Sequence, residues 1–568
     1  MQTDRPTQIA AADIVSESLL YPSRSGQKVA AYWDHLAANF EGCPFVVMAP
    51  KYGETKKSNL QLAYALAANG MNVVRFDHTC HVGESGGLKT AFTLTSGVGD
   101  ILGTLDYIQS RFRASSTALL ASSLSARTAV RAAALDPRIS FLACLVGVVN
   151  IQATLHAIYR EDVVANFMAG KRWGVTDSFF GHDANWDRFL EDACAADMHN
   201  LAGTQRDLAS VHAPVVFLSG DHDVWVALEE VQSCVRHAAQ GRVVSITGAK
   251  HEVRENPQAA EEAFDTMVSL IVQETWGLEN APKKLRRPNQ AALLAENRRE
   301  RERLRDAAPR DQTENDFWSS YLRKYLLLQR VDEYVDYLDL VGELLGPFGP
   351  GDLVLDAGCG NGLFGGWLRR RLQARPAFPL PAVYLGLDLT ESGLTEAMTR
   401  DNALATEGMM GSWSDAVRQL DILYAKADFD RLHDGRGVAS MPRFAAASFD
   451  AICCSLVLSY LEAPGKLLSE LRRIVRPGGR IVVSSMKPHC DISNIYTGFV
   501  DRRVSPSELS SARELLSGVG QIKLKEEQGY YVFYSSEELM EMVQAAGFRD
   551  SQSYSSFGDQ AVVVRAVA

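Results

Sequence analysis

Short apolar runs alternate with longer amphipathic stretches from about residue 44 to 276, and the rhythm returns from 353 to 568. In the first block, 45–49, 72–77, 117–121, 141–149, 214–218 and 242–246 read as strands that are apolar on both faces. Such runs, separated by helical patterns, predict a parallel sheet covered on both sides. Between 150 and 212 the strand rhythm stops. That stretch reads as mixed helix and loop carrying Tyr159, Phe167, Trp173, Phe179, Phe180 and Trp186. It suits a lid over a cleft, at about 151–210. Before the second block, Tyr321, Tyr325, Leu328, Val331, Tyr334 and Leu338 recur at helical spacing.

Between the blocks lies a basic run at 283–288 and a stretch of both charge signs at 296–303. The plain reading is a solvated linker helix; the sharper one is a docking surface for an acidic carrier protein. The expected organisation is therefore an α/β domain with a lid over 1–275, a charged linker over 276–315, and a second α/β domain over 316–568. A length of 568 residues agrees, because one hydrophobic core stops growing well below that size.

Composition narrows the class of protein. With 46% hydrophobic and 22% charged residues the chain is ordinarily globular. A net charge of -11 argues against binding nucleic acid, which takes clustered Lys and Arg. The nine cysteines are scattered apart from the adjacent Cys453 and Cys454, and none shows zinc-ligand spacing. Reduced thiols of a cytoplasmic protein are the expectation. Neither a secretory leader nor an apolar run near the ~20 residues of a membrane span is visible. A soluble cytoplasmic protein with no metal and no membrane partner is expected.

The chemistry of the first block centres on the run Ala121-Ser122-Ser123-Leu124-Ser125-Ala126-Arg127. A serine on a sharp strand-to-helix turn needs small residues two before and two after it, since strand, turn and helix crowd together there. Ser123 has Ala121 and Ser125 in those places; Ser125 would have Arg127. Ser123 is the expected nucleophile, near the positive end of a helix. The backbone N–H of Leu124 is one expected oxyanion donor, and Tyr52, in the loop after the first core strand, is the other. A base and its orienting acid should follow late strands. Asp223 stands past one such strand and His251 past the next, while Asp221 sits closer to the strand end and shapes the turn. Asp77-His78 with His81 lacks a third metal ligand and reads as a structured loop.

These segments resemble a known family. His81-Val82-Gly83-Glu84-Ser85-Gly86-Gly87, the run around Ser123, Val146 to Asn150, Gly181 to Asp187, Asp223 to Val226 and Gly248 to His251 are similar to the acyl-carrier-protein thioesterase (acyl transferase) of bacterial luminescence. The resemblance spans most of 13–275. It implies an α/β-hydrolase fold, Ser123, Asp223 and His251 as the triad, and an acyl carrier protein or a polyketide synthase carrier domain as partner. Pro50-Lys51 depart from the pattern, standing where smaller residues are expected.

In the second block, Asp356-Ala357-Gly358-Cys359-Gly360-Asn361-Gly362 follows an apolar strand and precedes a helical pattern. Glycines there let the backbone approach a bound nucleotide closely. An acid should end the next strand, and Asp388 does so, farther on than usual because of an insertion over 371–381. The D-x-G-x-G-x-G pattern resembles class I S-adenosylmethionine methyltransferases, with a Rossmann-like fold. By that resemblance Asp356, Gly358 and Gly360 line the cofactor, Asp388 holds the ribose hydroxyls, Asp428 lies beside the adenine, and Ser455 ends the fourth strand. His489 and Tyr496 are the candidates for the methyl-acceptor side.

The pair reads as a thioesterase fused to a methyltransferase. The released acid would be methylated to an ester; alternatively, the chain is methylated at carbon or oxygen while carrier-bound and then released. In a third reading one domain only binds acyl chains, which failure of a fluorophosphonate to label Ser123 would favour.

Overall fold

The computed structural model describes residues 8–9, 14–37, 41–114, 116–179, 181–277, 279, 281, 284–307, 314–373, 380–409, 420–432, 440–502 and 504–568. The chain divides into two compact units. The first comprises Met1–Ala308 with Leu516–Gly529, the second Pro309–Leu515 with Tyr530–Ala568. The stretch expected as a linker thus groups with the first unit up to residue 308, where Gln290–Ala307 is a helix. Leu516–Gly529, expected in the second domain, also groups with the first unit. Lys283, Phe180 and most of the expected 371–381 insertion lie outside the described residues.

The first unit is built on a sheet of eight described strands: β1 (Ile14–Pro22), β2 (Lys28–Leu36), β3 (Phe45–Ala49), β4 (Asn72–Phe76), β5 (Thr117–Ser122), β6 (Ile139–Leu145), β7 (Val215–Gly220) and β8 (Gly241–Ile246). Their order across the sheet is β8-β7-β6-β5-β3-β4-β2-β1. All pairings are parallel except β1 with β2 and β2 with β4. The six strands expected from apolar runs are present. Of the two antiparallel strands, β1 is interrupted by Ser16, Glu17 and Ser18, while β2 holds the apolar run Val29 to Trp33 ahead of the alternating block. β3, β4, β5 and β7 are buried at every position, as strands covered on both faces must be. The lid region comprises helices Ile151–Tyr159, Val163–Met168, Trp186–Ala195 and Leu201–Ala209, plus an antiparallel hairpin, Val175–Phe179 with His182–Asn185.

The second unit carries seven described strands: β9 (Leu353–Ala357), β10 (Ala382–Asp388), β11 (Leu420–Lys426), β12 (Phe449–Cys454), β13 (Val475–Met486), β14 (Arg549–Ser556) and β15 (Ala561–Val567). Their order is β11-β10-β9-β12-β13-β15-β14, with β15 antiparallel to both neighbours. The order reverses between β9 and β12. In open α/β sheets a ligand crevice forms at the carboxyl ends of the strands at such a reversal. Among the described residues no helix is long and apolar enough to cross a membrane.

Candidate active sites

β5 runs straight into the helix Leu124–Leu135, and Ser123 occupies the turn between them with φ 52° and ψ −124°. A non-glycine residue there is strained, a cost of about 1–3 kcal/mol that surrounding structure must offset. Two backbone bonds do so: Ser123 N–H donates to Leu145 at 3.1 Å, and Val148 N–H donates to the Ser123 carbonyl at 3.0 Å. The strain lifts Oγ out of the strand. Leu124 is the first helical residue, so its N–H has no partner within the helix.

The Ser123 hydroxyl lies 2.8 Å from His251 Nε2, and His251 Nδ1 lies 2.8 Å from Asp223 Oδ2. Asp223 follows β7 and His251 follows β8. The other oxygen of Asp223, Oδ1, accepts the N–H groups of Trp225 at 2.9 Å and Val226 at 3.1 Å, which fixes the carboxylate plane. The Trp225 ring stacks on the imidazole at 5.8 Å between centroids. Asp221 instead accepts from Gly248 N–H at 2.7 Å, tying the turn after β7 to the loop that carries His251. A neutral imidazole held this way donates from Nδ1 and accepts from the serine at Nε2.

Tyr52 sits on the loop after β3, and that loop is held by side chains. Ser125, the serine not chosen as nucleophile, donates from Oγ to the Pro50 carbonyl at 2.5 Å. Gly53 N–H donates to Nε2 of His81 at 2.8 Å. The Tyr52 ring packs on His81 at 4.3 Å and on His182, from the lid hairpin, at 5.4 Å. Burial pushes His81 far below the ordinary histidine range, so its ring is neutral and can accept. Gly53 has φ +85°, and a Cβ there would lie 2.7 Å from His182 Nε2, so only glycine fits. Burial also pushes His182 down to about 4. Asp77 accepts from the Lys56 ammonium at 2.9 Å and from Glu84 N–H at 2.7 Å, while His78 Nε2 lies 3.0 Å from Ser125 Oγ.

In the second unit a cavity opens at the reversal between β9 and β12. All six residues expected at the cofactor line it: Asp356, Gly358, Gly360, Asp388, Asp428 and Ser455. Gly358 has φ +97°, and a Cβ on it would fall 2.0 Å from Val457 Cγ2, so the loop must be bare there. Asp388 organises the loop: Oδ2 accepts from Gly360 N–H at 2.8 Å, and Oδ1 accepts the N–H of Thr390 at 2.9 Å and its hydroxyl at 2.7 Å. Asp356 Oδ2 accepts the Tyr384 hydroxyl at 2.5 Å, and the Cys453 thiol is the other side-chain donor to this buried carboxyl. Burial raises both carboxyls, Asp356 to about 7. Asp428 accepts from Asp430 N–H at 3.0 Å. The Ser455 hydroxyl pairs with that of Tyr337.

The acceptor side differs from expectation. His489 is exposed on a left-handed turn after β13, Tyr496 is buried in the helix Ser493–Val500, and neither lines the cavity. Trp318, Tyr325, Tyr334 and Tyr460 line it instead, with Glu314 among them. Trp318 packs on Tyr460 at 4.6 Å, and its Nε1–H donates to Glu314 at 3.2 Å. Helical spacing predicts one face for Tyr325 and Tyr334, but Tyr325 opens the 3-10 helix Tyr325–Arg330 and Tyr334 lies in the helix Asp332–Leu345, with an extended Val331 between them. Spacing does not tell a core face from a cavity wall.

A serine relay at the strand-to-helix turn of a mainly parallel sheet defines an α/β-hydrolase-type acyl-transfer site, and the seven-stranded unit is a Rossmann-like methyltransferase fold. The particular families agree. Residues 45–297 match the family model described as acyl transferase, and residues 328–553 match the one described as methyltransferase domain. Within one chain, residues 45–297 are thus similar to acyl transferases and residues 328–553 to methyltransferase domains, two enzymatic families.

Relatives include an acyl transferase of Photobacterium leiognathi, 29% identical over 240 residues, which covers 39% of this chain and 75% of that protein. An acyl transferase of Photorhabdus luminescens is 30% identical over 197 residues, 34% of this chain and 63% of that protein. Among solved structures, Est1E of Butyrivibrio proteoclasticus with bound ferulic acid aligns with a TM-score of 0.40 at 18% identity, over 45% of this chain and 99% of that one. An esterase of Pyrococcus furiosus aligns at 0.34 and 15%, over 47% and 98%.

Proposed function

We propose that this chain is a bifunctional enzyme that releases an acyl chain from a carrier protein through an acyl-Ser123 intermediate and methylates that chain with S-adenosylmethionine. The observation that carries the acyl half is the unbroken relay from Ser123 through His251 to Asp223, with both links at 2.8 Å. Ser123 Oγ attacks the thioester carbonyl while His251 Nε2 takes the hydroxyl proton, and Asp223 stabilises the imidazolium. The oxyanion that forms faces the N–H groups of Leu124 and Tyr52. Collapse breaks the C–S bond, and His251 returns the proton to the departing thiolate. Water, an alcohol or an amine then attacks the ester carbonyl as His251 removes its proton. The C–O bond to Ser123 breaks, and the serine takes the proton back. An acyl carrier protein, or a carrier domain of a polyketide synthase, fits as thioester donor and belongs with a cytoplasmic setting.

The second cavity fits S-adenosylmethionine on three counts. Gly358, at φ +97° and packed against Val457, turns the loop so that bare backbone lines the cavity. Asp388 already gathers the glycine loop, with Gly360 and Thr390 filling three of its roughly four acceptor sites, and presents its carboxylate to the cavity. Asp356, whose buried carboxyl meets only the Tyr384 hydroxyl and the weak thiol donor of Cys453, keeps acceptor capacity at the cavity wall. Asp428 and Ser455 complete the set that would hold the cofactor. When bound, S-adenosylmethionine supplies an electrophilic methyl group on a sulfonium sulfur. The residues around it align the acceptor and exclude water, which is most of what in-line transfer needs.

Two acceptors follow from the fusion. The released acid would give a methyl ester; the carrier-bound chain would be methylated at carbon or oxygen before release. The lining supports the second order. Glu314, Asp356, Asp388, Asp428 and Asp430 line the cavity, with no Lys, Arg or His among its described lining residues. An ionised acid would enter beside like charges, whereas a thioester brings no charge. The test is a Ser123→Ala chain given acyl carrier protein substrates and labelled S-adenosylmethionine. Methyl accumulating on the carrier-bound chain is the expected result. An unmethylated carrier in that variant, with methyl ester from the unaltered protein, would establish the first order instead.

A further inference from the structure

Lys51 is one of the two residues, with Pro50, at which the oxyanion loop departs from the family resemblance, and its partner Glu252 lies next to His251. Its ammonium pairs with Glu252 and lies 3.4 Å from Glu54. Arg254 closes the ring: Nε and Nη2 donate to the two oxygens of Glu252 at 2.7 and 2.9 Å, and Nη2 also pairs with Glu54. Two cations and two anions therefore alternate within hydrogen-bond reach. Their side chains are little exposed, 19% at Lys51 and 7% at Glu252, so water screens them weakly. Burial would push Lys51 down, but Glu252 and Glu54 outweigh it and hold the ammonium charged.

This ring joins two loops that must hold a fixed separation. Lys51 precedes Tyr52, the expected second oxyanion donor after β3, and Glu252 follows His251 after β8. Oxyanion donors act only within about 2.7–3.1 Å of the developing charge, and displacement by ~1 Å costs on the order of a hundredfold in rate. Nothing in the relay itself ties the loop after β3 to the histidine. Ser125 and His81 anchor Pro50 and Gly53, but from the helix after β5 and from the loop after β4.

We propose that Lys51 and Glu252 form a clamp that sets the distance between the oxyanion donor and the general base, with Arg254 and Glu54 as its brace. Both are positioning residues for acyl transfer, so the inference rests on the acyl-Ser123 reading above. A clamp acts on the transition state rather than on ground-state binding. Removing it lowers kcat with little change in KM, and weakens a boronic acid that mimics the tetrahedral intermediate.

The experiment uses the full chain with p-nitrophenyl octanoate as substrate and octylboronic acid as the transition-state probe, in Lys51→Met, Glu252→Gln, Lys51→Arg and Ser123→Ala variants. Lys51→Met and Glu252→Gln, shown to be folded by circular dichroism, should each lose ~100-fold in kcat with KM within about threefold, and lose boronate affinity in parallel. Lys51→Arg, which keeps the charge, should recover most of both. A folded Lys51→Met or Glu252→Gln with unchanged kcat and boronate affinity would overturn the clamp, as would loss of fold in both. If Ser123→Ala keeps its turnover, the acyl-serine reading itself fails; if it loses turnover while the clamp variants do not, only the clamp fails.

Discussion

Ser123 Oγ and His251 Nε2 meet at 2.8 Å although 128 positions separate them in the chain. The meeting depends on a strained serine at the end of β5 and on a loop leaving β8, two strands with β6 and β7 between them. Each end of the relay is fixed by backbone bonds, Leu145 and Val148 at the serine, Trp225 and Val226 at the aspartate. The serine site is therefore built before any substrate arrives.

Asp223→Asn should leave the fold intact and lower kcat by ~10⁴-fold, because an amide cannot hold the imidazole in the same tautomer or stabilise its charged form. Steady-state hydrolysis of an activated acyl ester checks this. A loss below about tenfold would mean that Asp223 does not orient the base.

His182 predicts an acid sensitivity of the first unit. Its folded pKa is depressed from the ordinary 6.5 to about 4 by burial. The unfolded chain then binds the proton more readily, so the contribution to stability is present above about 6.5 and lost as pH falls toward 4. At pH 5 the loss approaches ~2 kcal/mol. His182→Gln should lose less stability than the unaltered protein between pH 7 and pH 5. Urea unfolding at the two pH values, followed by tryptophan fluorescence, measures the difference; equal losses would contradict it.

Asp356 carries the opposite sign. Burial raises its folded pKa from 3.8 to about 7, so keeping it ionised costs folding stability increasingly as pH rises from about 4 through 7. Asp356→Asn should raise the melting temperature of the cofactor-free protein more at pH 8 than at pH 5. The same variant should bind S-adenosylhomocysteine at least ~10-fold more weakly, by calorimetry. A variant destabilised at pH 8 would refute the electrostatic reading.

Gly358→Ala should abolish cofactor binding and spare the serine site. Its Cβ would lie 2.0 Å from Val457, on a backbone at φ +97°. Calorimetry with S-adenosylhomocysteine should show no binding, while fluorophosphonate labelling of Ser123 proceeds at the unaltered rate. Full retention of binding would put the cofactor elsewhere.

Much of what is legible in the sequence is written in a short local segment, and Asp223 and His251 are legible because each follows a late strand. Ala121 to Ser125 carries its own steric rule, and Asp356 to Gly362 carries the glycine loop. The strands from β3 to β7 are short, mostly apolar and mostly buried, whereas β8 is half exposed and carries Arg242 and Ser245. What sequence reading missed depends on meetings between distant segments. Lys51 looked like an intrusion in the oxyanion loop because Glu252, its partner, lies 201 positions away. Tyr325 and Tyr334 share a helical periodicity, but the folded chain breaks at Val331 and brings both rings to the cavity from two separate helices. His489 and Tyr496 drew attention as isolated reactive side chains near a strand end, a criterion blind to where the cavity opens.

The central claim is that Ser123 carries the acyl chain. Intact-protein mass spectrometry after rapid mixing with an acyl carrier protein thioester tests it most directly. The account predicts a mass gain equal to one acyl group, mapped to the peptide containing Ser123 and absent from Ser123→Ala. An acyl adduct on another residue, or undiminished release of the chain by Ser123→Ala, would contradict it.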